Sequence, residues 1–147
     1  MDKMAPRGFF TAKTALDCLR REMAGDLKPG MYKLFVMLEW ETDPAKKKAI
    51  LEQMVKQSPK FPAAWKELAL LQDDDNAKLK MIENGLSHSP DGETKGILLI
   101  NKALVLDRQG KREEATRILG ELALNPESTL GTEHLAKVAL ANLLKKK

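Results

Sequence analysis

The stretch GKREEATRILGELALNP, Gly110–Pro126, contains a turn, an amphipathic helix and a stop within one short segment. Its first residue favours a turn, since glycine adopts backbone conformations that other residues avoid. The acids that follow suit the start of a helix, and Ala115 and Leu119 lie on one face of it. The closing proline ends the helix, because the residue before a proline is pushed out of the helical region. The segment therefore predicts a helix over about residues 111–124.

The same punctuation divides the whole chain into helices. Ala, Leu, Lys, Glu and Met dominate, whereas the Val, Ile, Thr and Tyr alternation of strands is missing. We predict an all-α protein with helices at about 11–24, 31–41, 44–57, 62–72, 76–87, 94–109, 111–124 and 130–145.

A pattern of one bulky residue, one Leu and one small residue recurs along the chain at an interval of about 34 residues, which we call the repeat length. The clearest copy is Trp65-x-x-Leu68-Ala69. Copies that match less well are Met31-x-x-Leu34-Phe35, Leu99-x-x-Lys102-Ala103 and Thr132-x-x-Leu135-Ala136. A single helix pair of this length cannot bury its apolar face alone, so neighbouring pairs stack and share a continuous core.

The repeat resembles the tetratricopeptide repeat family, whose unit is a helix–turn–helix of the same length. The resemblance covers about residues 30–145, and Lys102 and Lys47 depart from it, since the family has Leu and a small alanine there. It implies an all-α, right-handed superhelix of stacked helix pairs. The single domain, 1–147, would comprise a capping helix and loop at 11–29, repeats at 30–59, 60–93 and 94–127, and a capping helix at 128–147.

Composition narrows the classes of function. The chain of 147 residues suffices for one domain, and 25 Lys and Arg against 21 Asp and Glu give a weak basic surplus without the clustered stripe of a nucleic-acid binder. The single cysteine, Cys18, cannot form an intramolecular disulfide, which fits a reducing compartment. No signal peptide and no apolar run of about 20 residues is evident. We therefore expect a cytoplasmic protein without a membrane partner.

Catalytic and metal-binding patterns are missing from the sequence. Cys18 has no nearby histidine, and His88 and His134 have no ligand partners at metal-binding spacing. The acidic run 73–78 lacks the glycine of a calcium loop, so we predict that Asp75-Asn76 caps a helix instead. We therefore predict a non-catalytic protein that needs no cofactor and no metal.

The resemblance also implies where a partner binds, because in this family the first helix of each pair lines the concave side. The residues expected to face this groove are Tyr32, Val36, Lys66, Leu70, Ile100, Asn101, Leu104 and Arg108. Apolar residues outnumber charged ones there, which suits a peptide or amphipathic helix of a protein partner. In this interpretation Lys66, Asn101 and Arg108 orient the partner's polar groups. Burial of some of these side chains by irregular turns is the alternative.

Family members that grip the acidic tails of chaperones use a clamp of Lys, Asn, Asn, Lys and Arg on successive first helices. Only Lys66 and Asn101 fall at corresponding positions here, and Leu70 replaces a clamp asparagine. The sequence therefore disfavours that co-chaperone role.

Two other functions stay open at this level. The last helix is apolar almost all round, through Leu135, Val138, Leu140, Leu143 and Leu144, and a C-terminal cap normally has a polar outer face. A structural homo-oligomer joined through this helix is therefore the first alternative. A nucleic-acid-binding helical repeat, disfavoured by the mixed charge, is the second.

Overall fold

The computed structural model describes residues 12–145, which form eight α-helices in succession. They are α1 (Ala12–Met23), α2 (Met31–Trp40), α3 (Pro44–Gln57), α4 (Pro62–Leu70), α5 (Asp75–Leu86), α6 (Gly92–Arg108), α7 (Arg112–Leu124) and α8 (Leu130–Lys145). The predicted all-α class is confirmed, and each boundary lies within two residues of the predicted one.

Consecutive helices pack against each other along the chain, from α1 on α2 through to α7 on α8. The connections are short, so neighbouring helices run antiparallel. Alternate helices also meet, since α4 contacts α6 and α6 contacts α8. The helices therefore pack in chain order, as the sequence predicts.

Local sequence explains several helix ends. Gly110 has φ 84° in the turn between α6 and α7, a backbone conformation that favours glycine. The Asp74 carboxylate caps α5 by accepting a hydrogen bond from the Ala77 N–H at 2.8 Å. The cap predicted at Asp75-Asn76 is thus wrong by one residue, because Asp75 is already the first residue of the helix.

The core follows the helix pairs. Phe35 of α2 and Phe61, just before α4, meet edge to face with ring centroids 6.2 Å apart. Nearer the C-terminus, Ala103, Ala115 and Ala136 are completely buried where α6, α7 and α8 pack together. Small side chains at these positions let the helix backbones approach closely.

Helix α1, for which the sequence predicts a capping role, contacts more of the chain than the neighbouring helix α2 alone. Besides packing on α2, it contacts α6. The Thr14 hydroxyl donates to the Asp91 carboxylate at 3.2 Å, and Arg21 Nη2 donates to the Ser89 carbonyl at 2.7 Å. Ser89 has a positive φ of 54°, so these contacts hold a strained α5–α6 connection.

Glu22, near the end of α1, caps α2 from outside that helix. Its carboxylate accepts hydrogen bonds from the backbone N–H groups of Gly30, at 2.8 Å, and Tyr32, at 2.7 Å. The N-cap residue Gly30 has no side chain to perform this role. The hydrogen bond from the Tyr32 N–H and, to a smaller extent, that from the Gly30 N–H hold the pKa of Glu22 below the ordinary value of a glutamate.

We expect Glu22→Gln to lower the free energy of unfolding at neutral pH by about 1 kcal/mol, the usual effect of losing a helix cap. Because the folded-state pKa of Glu22 is depressed, its contribution is complete above the ordinary glutamate pKa. It is lost as the pH falls through the folded-state pKa. Urea unfolding of both proteins at a series of pH values should therefore show a stability difference that vanishes in acid.

The matched control is Glu52→Gln, on the exposed surface of α3. This variant should match the wild type at every pH. A difference for Glu22→Gln that stays constant from neutral to acidic pH would contradict the capping role.

Candidate functional site

An apolar surface depression lies between α6 and α8, and we call it the α6–α8 pocket. Its volume is about 270 Å³, and its lining includes Ile100, Leu104 and Asp107 from α6 and Leu135, Val138 and Asn142 from α8. Three of these side chains are substantially exposed, at 36% for Leu104, 50% for Leu135 and 45% for Val138. An exposed apolar depression of this kind is typical of an interaction site.

Contacts at both ends of the two helices position the pocket. Helices α6 and α8 run parallel, since residues near the start of one meet residues near the start of the other, and later residues of both line the same pocket. Near their N-termini the Thr129 hydroxyl donates to the Glu93 carboxylate at 3.0 Å, and Gly96 lies directly against Thr132. Near their C-termini Arg112, the first residue of α7, donates a hydrogen bond to the Leu143 carbonyl of α8. The pocket therefore lies between two fixed helices.

The apolar residues predicted to face a groove are exposed to different extents. Leu70 at the end of α4 is 39% exposed and Leu104 is exposed in the pocket, whereas Tyr32 and Val36 on α2 are half-buried. Ile100 is buried, and it forms part of the pocket lining. Of the predicted groove residues, Ile100 and Leu104 thus line the α6–α8 pocket, whereas Tyr32 and Val36 lie on α2, outside the pocket lining.

The polar residues predicted to orient a partner all have interactions within the chain. Asn101 Nδ2 donates to the Ile97 carbonyl at 2.9 Å. Arg108 donates twice to Asp75, from Nε at 3.2 Å and from Nη2 at 2.8 Å. These hydrogen bonds already use part of their donor capacity.

Lys66 is buried in the structure, whereas the sequence predicts that its side chain faces outward. Its side chain is 1% exposed, and its ammonium lies 2.5 Å from Oε2 of Glu67, which is also buried. Full burial of a lysine is rare unless its charge is paired, and the adjacent glutamate supplies the opposite charge. This burial corrects the predicted position of Lys66, while partner contact by the remaining residues stays a prediction.

The groove residues predicted from the sequence lie on α2, α4 and α6, so they do not include the α8 side of the pocket. Part of the signal was nevertheless present, because Leu70, Leu104 and Val138 are each 34 residues apart along the chain, although the last copy of the recurring pattern is shifted by one residue. The apolar circumference of the last helix, interpreted as an oligomer contact, pointed to the same side chains. The predicted groove and the apolar last helix therefore meet in one surface.

Other parts of the described chain offer less specific chemistry. A larger depression of about 530 Å³ lies beside α6 and α7, but Lys95 and Arg117 line it together with Glu114 and Glu121. Burial raises the pKa of the Cys18 thiol to about 12, so it stays protonated and unreactive near neutral pH. Within residues 12–145 no group of three or more His, Cys, Asp or Glu side chains is placed to hold a metal ion.

Among the helices of this described range, none is both long enough and apolar enough to cross a membrane. Comparison of the chain with protein-family models, with curated proteins and with solved structures gives no match.

Proposed function

We propose that this chain is a non-catalytic protein-interaction module that binds an apolar peptide or helix of a partner protein at the α6–α8 pocket. The proposed architecture is a right-handed tetratricopeptide-like superhelix with repeats at 30–59, 60–93 and 94–127, flanked by helical ends at 11–29 and 128–147. In this architecture α2, α4 and α6 are the first helices of the three pairs, and α8 takes the place of a fourth.

The packing of the helices supports this architecture. Alternate helices α4, α6 and α8 contact one another in order, as the first helices of stacked pairs do. The small residue of the recurring pattern is buried in each of them, as Ala69, Ala103 and Ala136. Close approach at the same place in successive units is the packing requirement that a repeat of this kind meets.

One observation carries the binding proposal, namely the exposure of Leu104, Leu135 and Val138 around a single apolar pocket. Isolated exposed apolar residues are common on protein surfaces and need no explanation. Three that converge from two helices form a depression into which a partner's apolar side chain fits. Burial of such a side chain is the main favourable term in association.

We expect Leu104→Asp and Leu135→Asp each to remove partner binding. A charge buried in the contact has no compensating group, and a central apolar contact contributes about 2 kcal/mol or more, which is roughly 30-fold in affinity. Affinity capture from a lysate, followed by mass spectrometry, measures the loss. Circular dichroism should show unchanged helix content in both variants.

Leu124→Asp is the matched control, since Leu124 is 84% exposed at the end of α7 and lies outside the pocket lining. It should capture the same proteins as the wild type. If Leu104→Asp also captures them in full amount, the pocket does not bind the partner.

A structural homo-oligomer is the second candidate, favoured by two further exposed side chains of α8, Leu130 and Leu144. A second copy packed on α8 would bury them together with Leu135 and Val138. Sedimentation of the purified chain distinguishes the two functions. Only a homo-oligomer gives a multiple of the monomer mass, and Leu144→Asp should then return the mass to that of the monomer.

A further inference from the structure

The charge around the pocket is set by how the nearby cations are paired. Arg108 at the end of α6 is held by two hydrogen bonds to Asp75, and Lys66 on α4 is held by Glu67. Each positive charge is thus offset by a carboxylate of the same chain, and Arg108 interacts electrostatically with Asp107 as well as with Asp75, so two carboxylates face this one cation. Neither cation leaves a net positive charge on the α4–α6 side of the pocket to attract an acidic partner.

Carboxylates follow the exposed apolar residues on this side at a constant interval. Asp73 lies three residues after Leu70, and Asp107 lies three residues after Leu104. The two pairs are 34 residues apart. A third pair, the half-buried Val36 and Glu39 on α2, comes 34 residues before the first of them. Asp73 is exposed, and Asp107 is part of the pocket lining itself.

The end of α6 lies against the start of α5, which follows the end of α4 after a short loop. The Arg108–Asp75 ion pair, 2.8 Å long, joins the last residue of α6 to the first residue of α5. Leu104 is one helical turn before this ion pair, and Leu70 is five residues before it. The apolar residues and the carboxylates that follow them therefore occupy the same edge of the molecule.

We propose that the partner segment is amphipathic and basic, with apolar side chains in the α6–α8 pocket and Lys or Arg side chains beside Asp73 and Asp107. This inference rests on the proposed function and specifies its ligand. The chain as a whole carries a surplus of four positive charges, so this acidic edge differs in sign from the average surface.

The test uses three fluorescein-labelled peptides of about 18 residues, long enough to form a helix that crosses several helices of the protein. All carry leucines at helical spacing, and their polar positions are all Lys, all Gln or all Glu. Fluorescence anisotropy with the full chain should show the Lys peptide binding about tenfold more tightly than the Gln peptide. The Glu peptide should bind most weakly, and added salt should reduce the differences.

Asp73→Asn combined with Asp107→Asn should bring the affinity for the Lys peptide close to that for the Gln peptide. The control combines Glu52→Gln with Glu121→Gln, which changes the net charge equally on α3 and α7. This control should keep the full preference for the Lys peptide. Leu104→Asn, which removes the apolar side chain without adding a charge, should weaken binding of all three peptides.

The outcomes separate the two proposals. Equal binding of the three peptides that is lost in Leu104→Asn overturns the basic-partner inference and leaves the proposed function standing. Binding that Leu104→Asn does not change, or no binding of any peptide, overturns both. A dimer in the absence of peptide that Leu104→Asn dissociates assigns the surface to a second copy and overturns the basic-partner inference.

Discussion

Lys66→Met should lower the free energy of unfolding by about 3–5 kcal/mol, because it leaves the Glu67 carboxylate buried without its cation. The methionine keeps most of the length of the lysine stem, so the loss reports on charge more than on packing. Both side chains are buried, at 1% exposure for Lys66 and 8% for Glu67, and water cannot replace the missing partner. Urea denaturation followed by circular dichroism measures the change.

Two further variants identify the cause of that loss. Lys66→Met with Glu67→Leu removes both charges and should recover most of the stability, since an apolar pair of similar volume is often as stable as a buried ion pair. Lys102→Met breaks the more exposed ion pair with Glu83, 2.9 Å long, and should cost less than about 1 kcal/mol. A loss for Lys66→Met no larger than that for Lys102→Met would mean that the buried pair contributes little.

The helices could be predicted from sequence because their signals are local. Proline, glycine and acidic residues mark the ends, and the apolar stripe marks one face, so α3 and α8 begin and end at the predicted residues. The order of packing followed from short connections and a constant repeat length. These properties depend on residues within one or two turns of each other.

The surface could be predicted only in part, because exposure depends on what packs above each helix. Leu104 lies on an exposed apolar surface, in agreement with its predicted outward position, whereas Lys66 on α4 is buried with Glu67. Nothing in the periodicity of α4 indicates this, since adjacent residues of a helix normally point in different directions. The contact of α1 with α6 is equally non-local and joins residues 77 positions apart, Thr14 and Asp91.

Gly96→Ala should destabilise the protein by about 2 kcal/mol, although the same change inside a helix is usually stabilising. A β-carbon at Gly96 would lie 2.1 Å from Oγ1, 2.7 Å from Cγ2 and 2.9 Å from Cβ of Thr132 on α8. Rotation of the threonine side chain cannot relieve all three contacts, since its own Cβ is among them. Helix α8 must therefore move away from α6.

Gly120→Ala is the matched control, because the position lies within α7 and an added β-carbon meets nothing within 4 Å. This variant should raise stability by up to about 1 kcal/mol, through the higher helix propensity of alanine. Thr132→Ala should partly restore Gly96→Ala, since it removes two of the three close contacts. Thermal and urea unfolding of the wild type, Gly96→Ala, Gly120→Ala and the double variant Gly96→Ala with Thr132→Ala measure these effects. A Gly96→Ala protein as stable as Gly120→Ala would show that α6 and α8 are not held in contact at this glycine, and the pocket between them would lose its fixed geometry.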